Sequence, residues 1–381
     1  MFIREREMDD FTIEIVETKA NINSAKIRVI GVGGGGGNMI DHMLSMGTKG
    51  IDMMVSNTDA QALLSSQALT KIQLGVSTTR GLGAGMIPMI GRESALENFD
   101  ELKEHLEGSD IVFISAGLGG GTGTGAAPII AQAAKEVGAL TVSVVTTPFK
   151  FEGKKRTKLA RAGLEELKEE SDCVIVIPNE KLLSIVEKNL GLKESFKLVD
   201  NILTQAVSGI SNLIISHGEN DINLDFADVK TTMDYKGLAL IGTGYSDSGT
   251  NAAYDAALIA VDSPLLDDLT IDGAMGILVH FDINPDYPIL GISAAMDMIE
   301  DRANEDANVI CGTSTNQDMS IEEVKITIIA TGFEKEKEEI TSVNPIKKPK
   351  VRESYDTTTD SRVFDDKKVV GLDIPSYYRI K

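Results

Sequence analysis

Gly119 to Gly125 reads Gly-Gly-Gly-Thr-Gly-Thr-Gly and follows directly on Asp110-Ile-Val-Phe-Ile-Ser-Ala116, an apolar run with the composition of a strand buried on both faces. Backbone without Cβ atoms passes through positive φ and can turn several N–H groups toward one anion. An ordinary turn needs only one or two glycines, and this loop has five in seven positions. Ala126 to Lys135 then has helical composition, with Pro128 early enough for a first turn. A strand, a glycine loop and a helix whose N-terminal partial charge faces that loop make a phosphate site and confine the chain to an α/β layout. No Gly-Lys-Ser/Thr follows, so this is not a P-loop. The bland alternative is a glycine-rich turn without a ligand.

The same arrangement occurs earlier. Lys26 to Val32 reads as a strand, Gly33 to Gly37 as a tight loop and Asn38 to Leu44 as the opening of a helix. Gly50 to Ser56 makes a second strand ending at Asn57-Thr-Asp59, and Gly81-Leu-Gly-Ala-Gly85 is a third glycine loop. With Leu140 to Thr146 as a further strand, the pattern predicts a mostly parallel sheet covered on both faces, its ligand loops meeting at the carboxyl edge. Gly31, Gly33 and Gly36 also satisfy the dinucleotide fingerprint, so a Rossmann-type oxidoreductase is an alternative. Three glycine loops nevertheless supply more cradle than one pyrophosphate needs, and a triphosphate fits better.

From Glu194 to Ser216 the positions Phe196, Val199, Leu203, Ala206, Ile210 and Leu213 recur at helical spacing, which predicts a long connector between two domains. Strands follow at Gly237 to Gly242, Gly276 to Phe281 and Val324 to Ala330, with helices near Asn251 to Val261 and Ile292 to Ala303. After Phe333 the composition turns to Lys, Glu, Thr, Asp and Pro, which predicts a disordered linker over 334–370. The apolar and aromatic cluster Gly371-Leu-Asp-Ile-Pro-Ser-Tyr-Tyr-Arg379 then reads as a docking peptide within 371–381, with a frayed end as the alternative. Residues 1–25 form a polar extension with one short alternation, Phe11 to Ile15.

The net charge of -21 sits in the body, because the segment from Glu334 onward holds 10 acidic and 11 basic residues. Such a body repels nucleic acid, so an anionic nucleotide must be held locally by backbone amides and a cation. Cys173 and Cys311 point to a reducing compartment, and the four scattered histidines show no metal-ligand spacing, so no protein metal site is expected. The charged N-terminus is no signal peptide, and no apolar run approaches the ~18 residues of a membrane span. The expected location is the cytoplasm.

Together with Gly34 to Asn38, Asn57-Thr-Asp-Ala-Gln-Ala62, Phe151-Glu-Gly-Lys-Lys-Arg156 and Asn223-Leu-Asp-Phe-Ala-Asp228, the Gly119 to Gly125 run resembles the signature of the FtsZ family, tubulin-like GTPases of bacterial cell division. The resemblance covers about residues 26 to 333 and the last ten or so. It implies a tubulin-like fold: a Rossmann-like parallel-sheet GTP-binding domain (26–193), a connecting helix (194–216) and an α+β activation domain (217–333). It implies head-to-tail homopolymers, a division ring beneath the inner membrane, and GTP/GDP as ligand with Mg2+ held mainly by phosphates and water. By the same resemblance Gly34, Gly35, Gly36, Gly37, Asn38, Gly121, Thr122 and Gly123 line the phosphates, and Ala84 and Gly85 approach the γ-phosphate. Asn57 joins this set. Glu152 and Arg156 hold the ribose and its neighbours, while Asn179 and Asp200 meet the base with Phe196 stacked on it.

One of these roles has an independent chemical basis. A carboxylate such as Asp200 accepts from the N1–H and 2-amino donors of guanine, which adenine lacks. Asn223, Asp225 and Asp228 resemble the family's hydrolytic loop, which serves the nucleotide of the neighbouring subunit; read locally, Asn223 and Asp225 also fit an Asx-rich turn opening a helix. Lys154 and Lys155 read as a solvated basic face, and Lys230 stands where arginine is common in the family. Asp373 to Arg379 resembles the terminal peptide that binds membrane-tethering division proteins, with Tyr377 and Tyr378 replacing the more usual aliphatic or phenylalanine pair. A non-hydrolysing assembly module of the same fold is the remaining alternative.

Overall fold

The computed structural model describes residues 25–183, 191–215, 221–222, 224–235, 237–263, 271 and 273–333. The Phe11 to Ile15 alternation, Asn223, the 334–370 linker and the 371–381 peptide lie outside the described residues. Ten strands are described: β1 Ile27–Val32, β2 Asp52–Asn57, β3 Thr70–Gln73, β4 Ile111–Gly117, β5 Leu140–Thr147, β6 Cys173–Pro178, β7 Gly237–Ser246, β8 Gly276–Ile283, β9 Asn308–Thr315 and β10 Val324–Thr331. The helices are α1 Gly33–Ser45, α2 Ala60–Ser65, α3 Val76–Thr79, α4 Pro88–Glu97, α5 Phe99–Leu106, α6 Thr122–Glu136, α7 Lys154–Glu170, α8 Asn179–Leu182, α9 Leu192–Ile215, α10 Phe226–Met233, α11 Ala252–Val261 and α12 Ile289–Glu300.

The strands form one sheet in the order β3-β2-β1-β4-β5-β6-β7-β10-β8-β9. From β3 to β7 every pairing is parallel, and the first six strands follow the doubly wound order 3-2-1-4-5-6, in which the strand order reverses between β1 and β4. Loops after β1 and β4 therefore flank the switch point, where ligands bind in open α/β sheets. The expectation of a mostly parallel sheet ends at β7, because β10 runs antiparallel to both β7 and β8. Strands β3, β6 and β9 were not anticipated. Four residues of β3 are too few to show a period, and Cys173–Pro178 is a continuous apolar run that periodicity alone does not distinguish from buried helix.

Alternation along β4 shows why the sheet is covered on both sides. Val112, Ile114 and Ala116 pack with Ala126, Ile130 and Ala134 of α6, whereas Phe113 packs with Met39, Ile40 and Met43 of α1. Fully burying a side chain such as Phe113 contributes about 1.5–3 kcal/mol. The connector α9 lies on the Phe113 side. Its Val199, Leu203, Ala206, Ile210 and Leu213 join one core with Val144 and Ile175 from β5 and β6, and with Ile241, Leu278 and Ile329 from β7, β8 and β10. One helix thus ties the nucleotide-side strands to the antiparallel end. Residues 193–215 are long and apolar enough to span a membrane, with mean hydropathy 1.3, but most of that stretch is buried against the sheet. Its apolar residues are periodic rather than continuous, so the stretch contains no long unbroken apolar run.

Two local expectations need correction. The Gly33 to Gly37 run is not a loop ahead of a helix; it forms the first turns of α1. Likewise α6 starts at Thr122, inside the glycine run, so Pro128 is its seventh residue and not in its first turn. Close packing explains both. A Cβ on Gly36 would overlap Ser115 O, and one on Gly123 would overlap Gly117 O, so these helices can begin directly against the strands only with glycine there.

Candidate nucleotide site

Two helix N-termini converge at the switch point. An ideal Cβ on Gly33 at the start of α1 would sit 3.0 Å from Gly123 N in the first turn of α6. Neither helix has a side-chain cap or an acidic residue in its first turn, so their N-terminal amides are left without side-chain acceptors. Paired positive helix ends beside open backbone make an anion cradle. Gly34 and Gly120 have no heavy atom within 4 Å of an added Cβ and so face free space, and Gly119 bends the loop through φ 99°.

A cavity of about 360 Å³ runs from this cradle toward α9. Its lining includes Gly34, Gly35, Asn38, Gly121, Thr122, Gly123, Glu152, Arg156, Asn179, Phe196 and Asp200, all anticipated from the sequence. It also includes Gly120 of the anticipated glycine loop, and Gly117, Leu118, Thr146, Pro148, Val199 and Leu203, which were not anticipated. Two signals could have found them. Thr146 and Pro148 lie at the carboxyl end of β5, and Val199 and Leu203 share one helical face with Phe196 and Asp200.

Other anticipated residues stand apart from this cavity. Gly36 is buried between strands, as described. Gly37 and Asn57 line a separate cavity of about 70 Å³ whose wall includes Gly34 and Asn38 of the larger one. Ala84 is buried behind the cradle, where a Cβ on Gly121 would meet its Cβ at 2.8 Å. Gly85 is exposed at φ 55° in a loop flanked by Arg80 and Met86, which also have positive φ. Thr58 links these parts. Its hydroxyl pairs with Thr122 Oγ1 at 2.6 Å, and its carbonyl accepts from Gly83 N at 3.1 Å, which ties the Gly81–Gly85 loop to the start of α6. Lys154 and Lys155 are exposed and do not line the cavity.

The far wall has the properties of a base pocket. Asn179 is buried at the start of α8, and its Oδ1 has no protein partner. Such an acceptor costs about 1–3 kcal/mol unless a donor meets it. Burial likewise raises Asp200 to about 6 from 3.8. Phe196 is half-exposed, and its ring is braced edge-on by Phe149 at 5.6 Å, leaving a face for stacking. Glu152 accepts from Phe149 N at 2.9 Å and pairs with Arg156, so this turn is pre-ordered. Two acceptors lacking donors, an aromatic platform and an anion cradle together fit a guanine nucleotide.

Asp225 and Asp228 lie elsewhere. Leu224 N bonds Leu213 O near the C-terminal end of α9, whereas the cavity uses Phe196 to Leu203 at the other end. At 1.5 Å per residue, Leu213 lies about 15 Å from Leu203 and about 20 Å from Asp200 along α9. Asp225 occupies the N-cap position of α10 but makes no side-chain capping bond, and both carboxylates are exposed. The Asx-turn reading therefore does not account for the Asp225 side chain.

Comparison with known proteins matches the chain to two family models: the GTPase domain of the tubulin/FtsZ family at residues 26–187 and the C-terminal domain of the FtsZ family at 237–334. The cell division protein FtsZ of Helicobacter pylori strain 26695 is 47% identical over 339 residues, 87% of each chain. An empty FtsZ dimer from M. jannaschii superposes with TM-score 0.77 at 45% identity, covering 81% of this chain and 89% of the other. CetZ2 from Haloferax volcanii, solved as a GTPγS-bound protofilament, shares the fold with TM-score 0.67 at 23% identity, covering 81% of this chain and 94% of its own.

Proposed function

Because the chain belongs to the tubulin/FtsZ family of cell-division GTPases, we propose that it assembles head to tail into filaments at the division site, and that the acidic loop of one subunit completes the active site of the next. The observation that carries this reading is that Asp225 and Asp228 follow a loop tied at Leu213, about 15 Å along α9 from the nearest residue of the nucleotide cavity, Leu203. Among the described residues, the carboxylates that line the cavity are Glu152, which pairs with Arg156, and Asp200 on the base wall, whereas Asp225 and Asp228 are exposed and distant. A monomer gains from keeping them apart, since a carboxylate 4 Å from a phosphate charge is repelled by about 4 kcal/mol at an effective dielectric of 20. Assembly would bring them together only when a neighbour arrives. Asn223 belongs to the same proposal. A bound Mg2+, held mainly by phosphate oxygens and water, would offset the triphosphate charge.

Exposed apolar side chains beside the cradle suit such a contact: Leu82 is 86% exposed, and Ile87, Met89 and Phe151 are exposed as well. Asp373 to Arg379 is the proposed docking peptide for membrane-tethering partners. The test of assembly is the concentration dependence of GTP turnover. Phosphate release and light scattering should both rise steeply above a threshold protein concentration in GTP and Mg2+. Release that is linear from the lowest concentrations would rule the scheme out.

Guanine recognition by Asp200 carries a pH signature. Its folded-state value lies above the unfolded 3.8, so its contribution to the empty protein is present below about 3.8 and is lost as pH rises through about 6. Nucleotide has the opposite dependence, because guanine donors pair with the ionised form. GDP affinity should therefore fall as pH drops below about 6, by up to about tenfold per unit, and Asp200→Asn should flatten the profile. Calorimetric titrations across that window decide it; a wild-type profile as flat as the variant's would remove Asp200 from the base contact.

A further inference from the structure

The segment that precedes the acidic loop is fastened to the free edge of the sheet. Thr313 N donates to Ile222 O at 3.1 Å, Ile222 N donates to Thr313 Oγ1 at 2.8 Å, and Thr315 N donates to Asp221 Oδ1 at 2.9 Å. Strand β9 ends the sheet, so its outward amides would otherwise be unpaired. Gly312 allows the approach: a Cβ there would overlap Leu213 and lie 3.0 Å from Ile222 O. Just beyond, Leu224 N returns to Leu213 O at 3.3 Å. The loop's start is thus fixed from two directions, by β9 and by the end of α9, and two of its three bonds to β9 use side-chain acceptors.

We infer that Asp221 and Thr313 are positioning residues for hydrolysis, holding the Asp225 and Asp228 carboxylates at the geometry the neighbouring subunit's nucleotide requires. The inference rests on the proposed in-trans reading and adds to it the groups that set the loop's aim. Asp221 acts as a hydrogen-bond acceptor in this clamp, a role that does not require its charge. Thr313 acts through its hydroxyl. The clamp also joins the loop to the β7–β10 half of the sheet.

The test uses the full chain and separates aim from binding. Asp221→Ala is expected to lower kcat per polymerised subunit about tenfold, since an error near 1 Å in a reacting geometry costs up to about a hundredfold. GTP KM, GDP affinity and the assembly threshold should stay within about twofold. Asp221→Asn keeps an oxygen for Thr315 N and should restore turnover. Should Asp221→Ala fail to fold, Thr313→Val removes only the hydroxyl acceptor and carries the same expectation, with Thr313→Ser as its rescue. Wild-type turnover in Asp221→Ala, or Asp221→Asn as slow as Asp221→Ala, overturns the inference while a threshold in the unaltered chain leaves the in-trans reading standing. Turnover by the unaltered chain that is proportional to concentration throughout overturns both.

Discussion

Replacing Asp225 with alanine is expected to slow GTP turnover by at least a hundredfold while leaving GDP affinity within about twofold. The physical basis is the split site. Asp225 touches no part of the nucleotide cavity, and its side chain makes no capping bond to α10, so its removal should cost neither ligand contacts nor much helix stability. A capping aspartate would behave differently, with a loss of about 0.5–2 kcal/mol of stability. Mixing supplies a sharper measurement. Asp225→Ala subunits retain a complete cradle, so the GTP they hold should be hydrolysed at the interface with a wild-type neighbour, and co-assembled filaments should turn over more GTP than the wild-type fraction alone at its own concentration. Loss of nucleotide binding in Asp225→Ala would place this residue in its own subunit's pocket and refute the split.

The second large effect separates two kinds of glycine that look alike in sequence. Gly125→Ala is expected to destabilise the fold by roughly 3 kcal/mol or more, because the new methyl would be driven into the carbonyl of Pro88 and lie 2.8 Å from Arg92 N in the first turns of α4. Backbone cannot rotate away as a side chain can. Gly34→Ala should do the reverse. No heavy atom lies within 4 Å of its added Cβ, and alanine is favoured over glycine in a helix by about 0.5–1 kcal/mol, so the fold should be unharmed or slightly stabilised. Its methyl would nevertheless occupy the cradle, and nucleotide affinity should drop by tenfold or more, about 1.4 kcal/mol. Urea midpoints beside GDP titrations distinguish the two. Equal stability in both variants would show that the helix contacts are looser than described, and wild-type affinity in Gly34→Ala would remove the α1 N-terminus from the phosphate site.

What the sequence determined by itself was local. Apolar runs followed by glycine and then by helical composition identified β1, β4 and the helix that follows each, though not where those helices begin, and the spacing of Phe196 to Leu213 located α9 within two residues of its ends, because strand and helix periods are written in neighbouring residues. The acceptor chemistry on which the proposal for Asp200 rests is local too, since hydrogen-bond donors and acceptors belong to the residue type. Tertiary structure alone decided which glycines face the open cavity and which admit a neighbouring backbone, as Gly34 and Gly36 show from two positions apart. It also brought Asn179 and Asp200 to one wall from different elements, left Asp225 uncapped, and set Asp221 against Thr315 across the sheet edge. These are contacts between segments distant in the chain, and no local period encodes them. They arise when two faces of one sheet are packed at once and every close approach must be accommodated by whatever residue lies opposite.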